Sequence, residues 1–288
     1  MTTAFPRLIA SIPVYALAGI GLLLAGCNGA VTVDLAADAP ADTTVSNVVV
    51  DVAGVEFRRS DGTTEKLEFT QAERKDLLDN SAFRMFTNET LGEGTYTGVR
   101  LLLEDNDANR VTRVDGRQFP LNIAEGEYAE VDLTVVKDES SHDDLALSLD
   151  LRKSLSFNDD NDEYTLTPAL RSTPADKAAQ ISGNVDIRCS AGSSLAQGGA
   201  VYLFTGADIE PNDIGSAVVP YATAAVIADQ FSGFSTYSLR YLTPGDYTIA
   251  VTCNGDEDEA SVDNDIDFVG TANVSVDDSE TLTRNLSN

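Results

Sequence analysis

Few residues in this chain have the chemistry of a nucleophile, a base or a soft metal ligand. Its 288 residues include three cysteines and one histidine. Two of the cysteines, Cys189 and Cys253, lie on alternating runs, Ile181-x-Gly183-x-Val185-x-Ile187-x-Cys189 and Tyr247-x-Ile249-x-Val251-x-Cys253. Both thiols are therefore expected to face inward. In an oxidising compartment that predicts a core-crossing disulfide, closing a loop worth about 4 kcal/mol of chain entropy. One histidine and no C-x-x-C leave zinc without a ligand set. His142, in "KDESSHDDLA", has Ser140, Ser141, Asp143 and Asp144 around it, the ingredients of a Ser/His/Asp hydrolase. A triad converges from separate elements, however, whereas these residues are contiguous on a polar stretch and no G-x-S-x-G is present. His142 is read as a solvated loop residue. Three acidic knots remain: "EDNDANR" (104–110), "NDDNDEY" (158–164) and "NGDEDEASVDNDID" (254–267). Calcium needs six to eight converging oxygens, and none of the knots has EF-hand spacing. The third is the best calcium candidate, with Asp256, Asp258, Asp263, Asp265 and Asp267 as ligands. The plainer reading makes all three hairpin tips in water. Paired carboxylates for glycoside hydrolysis depend on a separation that sequence does not supply, and no phosphate-binding P-loop is present.

The third cysteine gives an address. Arg7 precedes an uncharged run from Leu8 to Gly26, in the order of a secretory signal. Its end, Leu24-Ala25-Gly26-Cys27, resembles the lipobox of bacterial lipoproteins. The resemblance implies a signal peptide over 1–26, diacylglycerol on the Cys27 thiol, cleavage before it and acylation of the new N-terminus. Residues 27–30 are then the lipidated residue and a short tether. Acyl chains anchor at roughly 0.8 kcal/mol per buried methylene. The competing reading, an uncleaved membrane helix, is weakened by Pro13 and the glycines of the run. Asn28, where an Asp would favour inner-membrane retention, points to the outer membrane of a two-membrane cell. The expected location is the cell envelope, with the membrane itself as one partner.

Loss of residues 1–26 removes Arg7 and no acid, taking the formal charge from −28 to −29. Such a surface repels nucleic acid and anionic lipid. It suits cation attraction or simple solvation.

The elements that would hold these residues read as strands almost throughout. Val31, Val33 and Leu35 alternate with polar residues, as do Val131, Leu133 and Val135, then Leu145, Leu147, Leu149 and Leu151. Period two with Gly, Asn and Asp turns predicts an all-β chain of two antiparallel β-sandwich-like domains. One helix is suggested, over "TQAERKDLLD" (70–79), where Thr70 and Glu73 have capping-box spacing. The composition shift in "RSTPADKAAQ" (171–180) reads as a boundary, with domains at 31–172 and 181–288 and a linker at 173–180. "LGEGTYTGVR" (from Leu91) and "LTPGDYTIAV" (from Leu242) share Leu-x-x-Gly-x-Tyr-Thr, a tight turn followed by an anchoring tyrosine.

Four stretches, "VTVDLAADAPAD" (31–42), "LGEGTYTGVRLLL" (91–103), "LDLRKSL" (149–155) and "EYTLTPALR" (163–171), resemble in order the family known as domain of unknown function 4382, common in bacterial lipoproteins. That resemblance implies a domain and an address, with no activity attached. "FSTYSLRYLTPGDYTIAVTC" (234–253) is similar to the hairpin of carboxypeptidase-regulatory and transthyretin-like sandwiches. The resulting expectation is a non-catalytic envelope lipoprotein that binds or supports an envelope protein or glycan. It has no required cofactor beyond the calcium option. Calcium-dependent adhesion or glycan binding is one alternative, and a hydrolase using acidic residues the other.

Overall fold

The computed structural model describes residues 29–79, 82–136, 142–190, 193–228, 234–260 and 262–287. The signal-peptide, lipobox and Cys27 expectations fall outside the described residues, as do Ser140, Ser141 and the side chain of His142. The chain is all-β. Among the described residues no helix is long and apolar enough to cross a membrane.

In the first half, one sheet has the strand order Leu170–Pro174, His142–Asp150, Gly29–Asp38, Phe83–Leu91. It packs against a larger sheet built around the 15-residue strand Val45–Arg59. That strand pairs with Thr64–Asp76, Gly94–Glu104 and Arg110–Arg113. Its buried residues change parity, from Val48, Val50 and Val52 to Val55 and Phe57, all fully buried. The change falls at a bulge between Val52 and Gly54. One extra residue there turns the strand's second half over, so the same face stays on the core. Gly54 has φ +155°, and a Cβ on it would lie 2.0 Å from Leu67 O, so only glycine fits.

Two expectations are corrected in this half. Residues 70–79 do not form a helix: Thr64–Asp76 is one strand, with Val49 to Val52 opposite Asp76 to Glu73. A long partner strand gives the segment a ladder along one whole edge, which outweighs a local capping signal. The pairing is also not wholly antiparallel. Gly29–Asp38 runs parallel to His142–Asp150, and Glu163–Leu166 parallel to Gln118–Ile123.

In the second half, Ala179–Asp186 pairs antiparallel with Ser235–Leu242 and parallel with Thr281–Thr283 and Leu286–Ser287. This sheet faces a second one with the order Ala222–Ala225, Ala200–Thr205, Gly245–Thr252, Phe268–Val276. Ile181, Val201, Leu203, Leu239, Ile249 and Val251 fill the space between them. Cys189 and Cys253 are joined in a disulfide, Cα–Cα 5.8 Å, at the edge of this core. The outer face of the second sheet is buried as well: Tyr202, Phe204 and Ala250 form a separate cluster with Ile214 and Phe268. The main cores of the two halves share no residue. Leu170–Pro174 is still an edge strand of the first half, antiparallel to His142–Asp150. The connection therefore narrows to residues 175–178, shorter than the 173–180 read from composition. Pro174 ends that strand, where its missing N–H costs nothing.

Candidate functional site

The densest buried charge lies where the two halves meet, and the first half supplies most of it. Asp150 ends strand His142–Asp150 and caps the one-turn helix Leu151–Ser154, its Oδ1 accepting from Lys153 N at 3.3 Å. Ser154 closes the turn: its hydroxyl donates to Asp150 O at 2.5 Å and accepts from Ala169 N at 3.0 Å. The turn aims Arg152 and Lys153 at the second half. Arg152 Nη1 donates to Gly255 O, and its guanidinium sits 5.7 Å from the centre of the Tyr202 ring. Lys153 Nζ donates to Pro220 O and, at 3.4 Å, to Tyr221 O. From the adjacent strand, Arg171 Nη1 donates to Tyr221 O at 3.3 Å while its guanidinium lies 5.2 Å from the Tyr221 ring centre.

Two carboxylates stand behind these cations. Asp38 Oδ2 accepts from Ser148 Oγ at 3.1 Å and from Arg171 Nη2 at 3.4 Å. Arg171 Nη2 also donates to Ser148 Oγ at 2.8 Å. Asp150 Oδ1 accepts from Thr223 Oγ1 of the second half at 3.0 Å, and its Oδ2 lies 3.9 Å from Lys153 Nζ. Asp38, Ser148, Asp150, Arg152 and Thr223 are all buried. Burial pushes the Asp38 carboxyl up to about 6 against the pull of Arg171, with Asp150 adding to the rise. Burial likewise lowers Lys153, opposed by Asp150. Thr173 Oγ1 donates to Tyr241 O at 3.0 Å at the margin.

The stretches singled out in the sequence thus converge. Asp38 comes from 31–42, the Asp150 to Ser154 turn from 149–155, and Arg171 from 163–171. A second stitch joins the first and last of these: Tyr164 OH donates to Asp42 Oδ2 and accepts from Arg113 Nε, both at 2.8 Å. The alternating leucines foretold the strand that carries Asp150. Nothing in sequence said that the charges beyond it are buried, apart from their abrupt arrival after an apolar run.

Among the described residues no three or more Asp, Glu, His or Cys side chains gather to hold a metal. Asp258 is turned inward, its carboxylate accepting from Tyr202 OH at 2.6 Å and from Ile214 N at 3.2 Å. Burial raises its pKa against the Tyr202 hydrogen bond. Asp256, Asp263, Asp265 and Asp267 are exposed. The third knot instead covers the apolar cluster on the outer sheet face, pinned through Asp258 and through Asp213, whose Oδ2 accepts from Asn264 N at 2.8 Å. Of the other knots, the first is a turn bonded both to itself and to the strand Val45–Arg59, and the second is a turn bonded to itself. Asn109 accepts from Asp51 N at 3.1 Å and donates to Glu104 O at 2.7 Å. Asn158 accepts from Asp160 N at 2.9 Å at the tip of a hairpin. His142 opens its strand, opposite Ala30.

Residues 28–168 match the model of the family described as Domain of unknown function (DUF4382). No curated protein matches the sequence. Among solved structures, the Bacillus anthracis TIE protein is 9% identical, with 91% of this chain and 34% of that chain covered at a TM-score of 0.20. This chain therefore spans about a third of that protein's length. GBS52, the minor pilin of Streptococcus agalactiae, is 11% identical, with 89% and 94% covered at a TM-score of 0.22. A family CBM26 module of Eubacterium rectale Amy13K, solved in complex with maltoheptaose, is 10% identical, with 90% and 91% covered at a TM-score of 0.22.

Proposed function

We propose that this chain, whose residues 28–168 carry a DUF4382 domain, is a non-catalytic lipoprotein of the cell envelope. It is anchored through Cys27 and presents its two β halves as one binding or structural module. The carrying observation is how its buried charge is used. Arg152, Lys153 and Arg171 all donate to main-chain carbonyls of the second half, and Asp38 and Asp150 are packed behind them. An acid–base site needs titratable groups that reach a bound substrate; here the perturbed groups are engaged in joining the halves. The lipid anchor rests on the Leu-Ala-Gly-Cys end of the N-terminal run. The outer-membrane address rests on Asn28. With the first strand starting at Gly29, only Asn28 separates it from the anchor, and the first half is held within about 7 Å of the headgroups. The second half and its acidic loops then face a partner, an envelope protein or glycan.

Expressed in a bacterial host, the chain is expected to fractionate with membranes, and Cys27→Ser to release it or stall its processing. Intact-mass analysis that finds residues 1–26 still attached would overturn the lipoprotein reading. Saturable turnover of an ester or glycan, abolished by mutating named carboxylates, would overturn the non-catalytic one.

A further inference from the structure

The contacts at the junction are unusual in what they recognise. Three cationic side chains of the first half reach across, and every hydrogen bond they make there ends on a main-chain carbonyl: Gly255 O for Arg152, Pro220 O and Tyr221 O for Lys153, Tyr221 O for Arg171. Those carbonyls lie just outside strand ends. Pro220 and Tyr221 directly precede Ala222–Ala225, and Gly255 opens the 3-10 turn Gly255–Glu257 that follows Gly245–Thr252. A carbonyl at a strand end has left the ladder and needs another donor. Each guanidinium also lies over a tyrosine ring of the second half, Arg152 at Tyr202 and Arg171 at Tyr221. A flat, delocalised cation can stack on such a face and still donate along its edge. One side-chain acceptor is used, Asp150 Oδ1 for Thr223 Oγ1.

We infer that the Asp150–Ser154 turn, with Asp38 and Arg171, is an in-cis docking surface for strand-end carbonyls flanked by aromatic rings, so that the first half serves as an adaptor holding a β-sandwich unit. The occupant here is the second half of the same chain. Asp38 and Asp150 are the positioning carboxylates: they hold Arg171 and Lys153 extended toward the partner. This inference stands apart from the lipid anchor, because no contact in it involves residues before Asp38.

The test uses the full chain with a specific protease site inserted between Asp176 and Lys177, in the four-residue connection. After cleavage the two parts are expected to co-elute on size exclusion. Lys153→Met and Arg171→Met, singly and together, are expected to weaken the association by about tenfold for each charge-assisted donor lost. Tyr221→Phe keeps the ring face but loses the hydroxyl that Thr243 bonds, and is expected to fall between the parent and Tyr221→Leu. Tyr221→Leu removes that face and is expected to loosen the pair. Arg171→Lys keeps the charge but not the fork, and is expected to fall between parent and Arg171→Met. Should the double variant fail to fold, Lys153→Met alone carries the test, because its partly exposed side chain contributes little to the first core. Separation of the cleaved parent would overturn the inference. So would Met variants that stay associated as tightly as the parent.

Discussion

Asp38→Asn isolates the electrostatics of the junction. Asp38 is buried, and its carboxyl is pushed up to about 6 from an ordinary 3.8, first by burial, against Arg171, with Asp150 adding to the rise. Ser148 and Arg240 also act on it, both favouring the charged form. A carboxyl whose folded value lies above its unfolded one binds protons more tightly in the folded chain. Its contribution to stability is full below about pH 4 and is lost as pH rises through 6. A rise from 3.8 to about 6, at 1.36 kcal/mol per pH unit, makes that loss about 3 kcal/mol. Asparagine does not titrate, so the parent is expected to lose about 3 kcal/mol relative to Asp38→Asn between pH 4 and pH 7. The variant carries its own pH-independent cost from leaving Arg171 with less compensation. That cost shifts the whole curve without changing its slope. The many exposed carboxylates of this acidic chain titrate in both proteins and cancel in the difference. Urea unfolding at half-unit pH steps, followed by circular dichroism, measures the quantity directly. A stability difference that stays flat from pH 4 to 7 would refute the reasoning, and a difference of the opposite slope would show that Arg171 outweighs burial at Asp38.

Two further outcomes test the cores. Gly54→Ala puts a Cβ 2.0 Å from Leu67 O at a bulge with φ +155°, and is expected to cost about 3 kcal/mol or more in urea unfolding; a loss under about 1 kcal/mol would mean that the bulge can migrate. Replacing Cys189 and Cys253 together by serine is expected to destabilise the second half by about 4 kcal/mol. Non-reducing peptide maps of the parent should recover the linked pair, and free alkylation of both thiols would remove that bond from the account.

The parts of this fold legible in sequence were those governed by alternation. Val31, Val33 and Leu35, the leucines from 145 to 151, the run from Tyr247 to Cys253, and Ile181, Val185 and Ile187 bury the face their spacing selects, with Gly183 and Cys189 half-buried. The acidic knots were legible as turns because Asp and Asn bond their own backbone. The illegible parts depend on partners far away in sequence. Thr70 and Glu73 carry a helix-start signal, yet a strand from 45 to 59 recruits them. The parity change at Gly54 breaks the alternation that would identify one long strand. Parallel pairing of Gly29–Asp38 with His142–Asp150 joins segments more than a hundred residues apart. Asp38, Arg152 and Arg171 look like ordinary surface charges until the second half is set against them, since burial by another unit leaves no periodic trace.

The shared Leu-x-x-Gly-x-Tyr element links local turn chemistry to this junction. In both halves the leucine is fully buried, and the glycine opens a strand opposite the valine that ends its antiparallel partner, Gly94 with Val135 and Gly245 with Val276. In both, the tyrosine hydroxyl lies against the carbonyl four residues back, Tyr96 at 2.7 Å from Gly92 O and Tyr247 at 2.6 Å from Thr243 O. A buried phenol needs a partner, and the turn before its own strand supplies the nearest one. The surroundings then diverge. Tyr96 also meets Glu65, which is paired with Arg59, and so ties the turn to its own sheet. Tyr247 lies 5.4 Å from the Tyr221 ring, and Thr243 bonds the Tyr221 hydroxyl. Tyr221 is the residue whose carbonyl and ring face Lys153 and Arg171. The turn that carries the chain from one sheet to the other in each half therefore, in the second, also sets the position of the docking carbonyl. Docking thus depends on that turn being formed, because Thr243 of the turn holds the ring whose carbonyl the first half's cations meet.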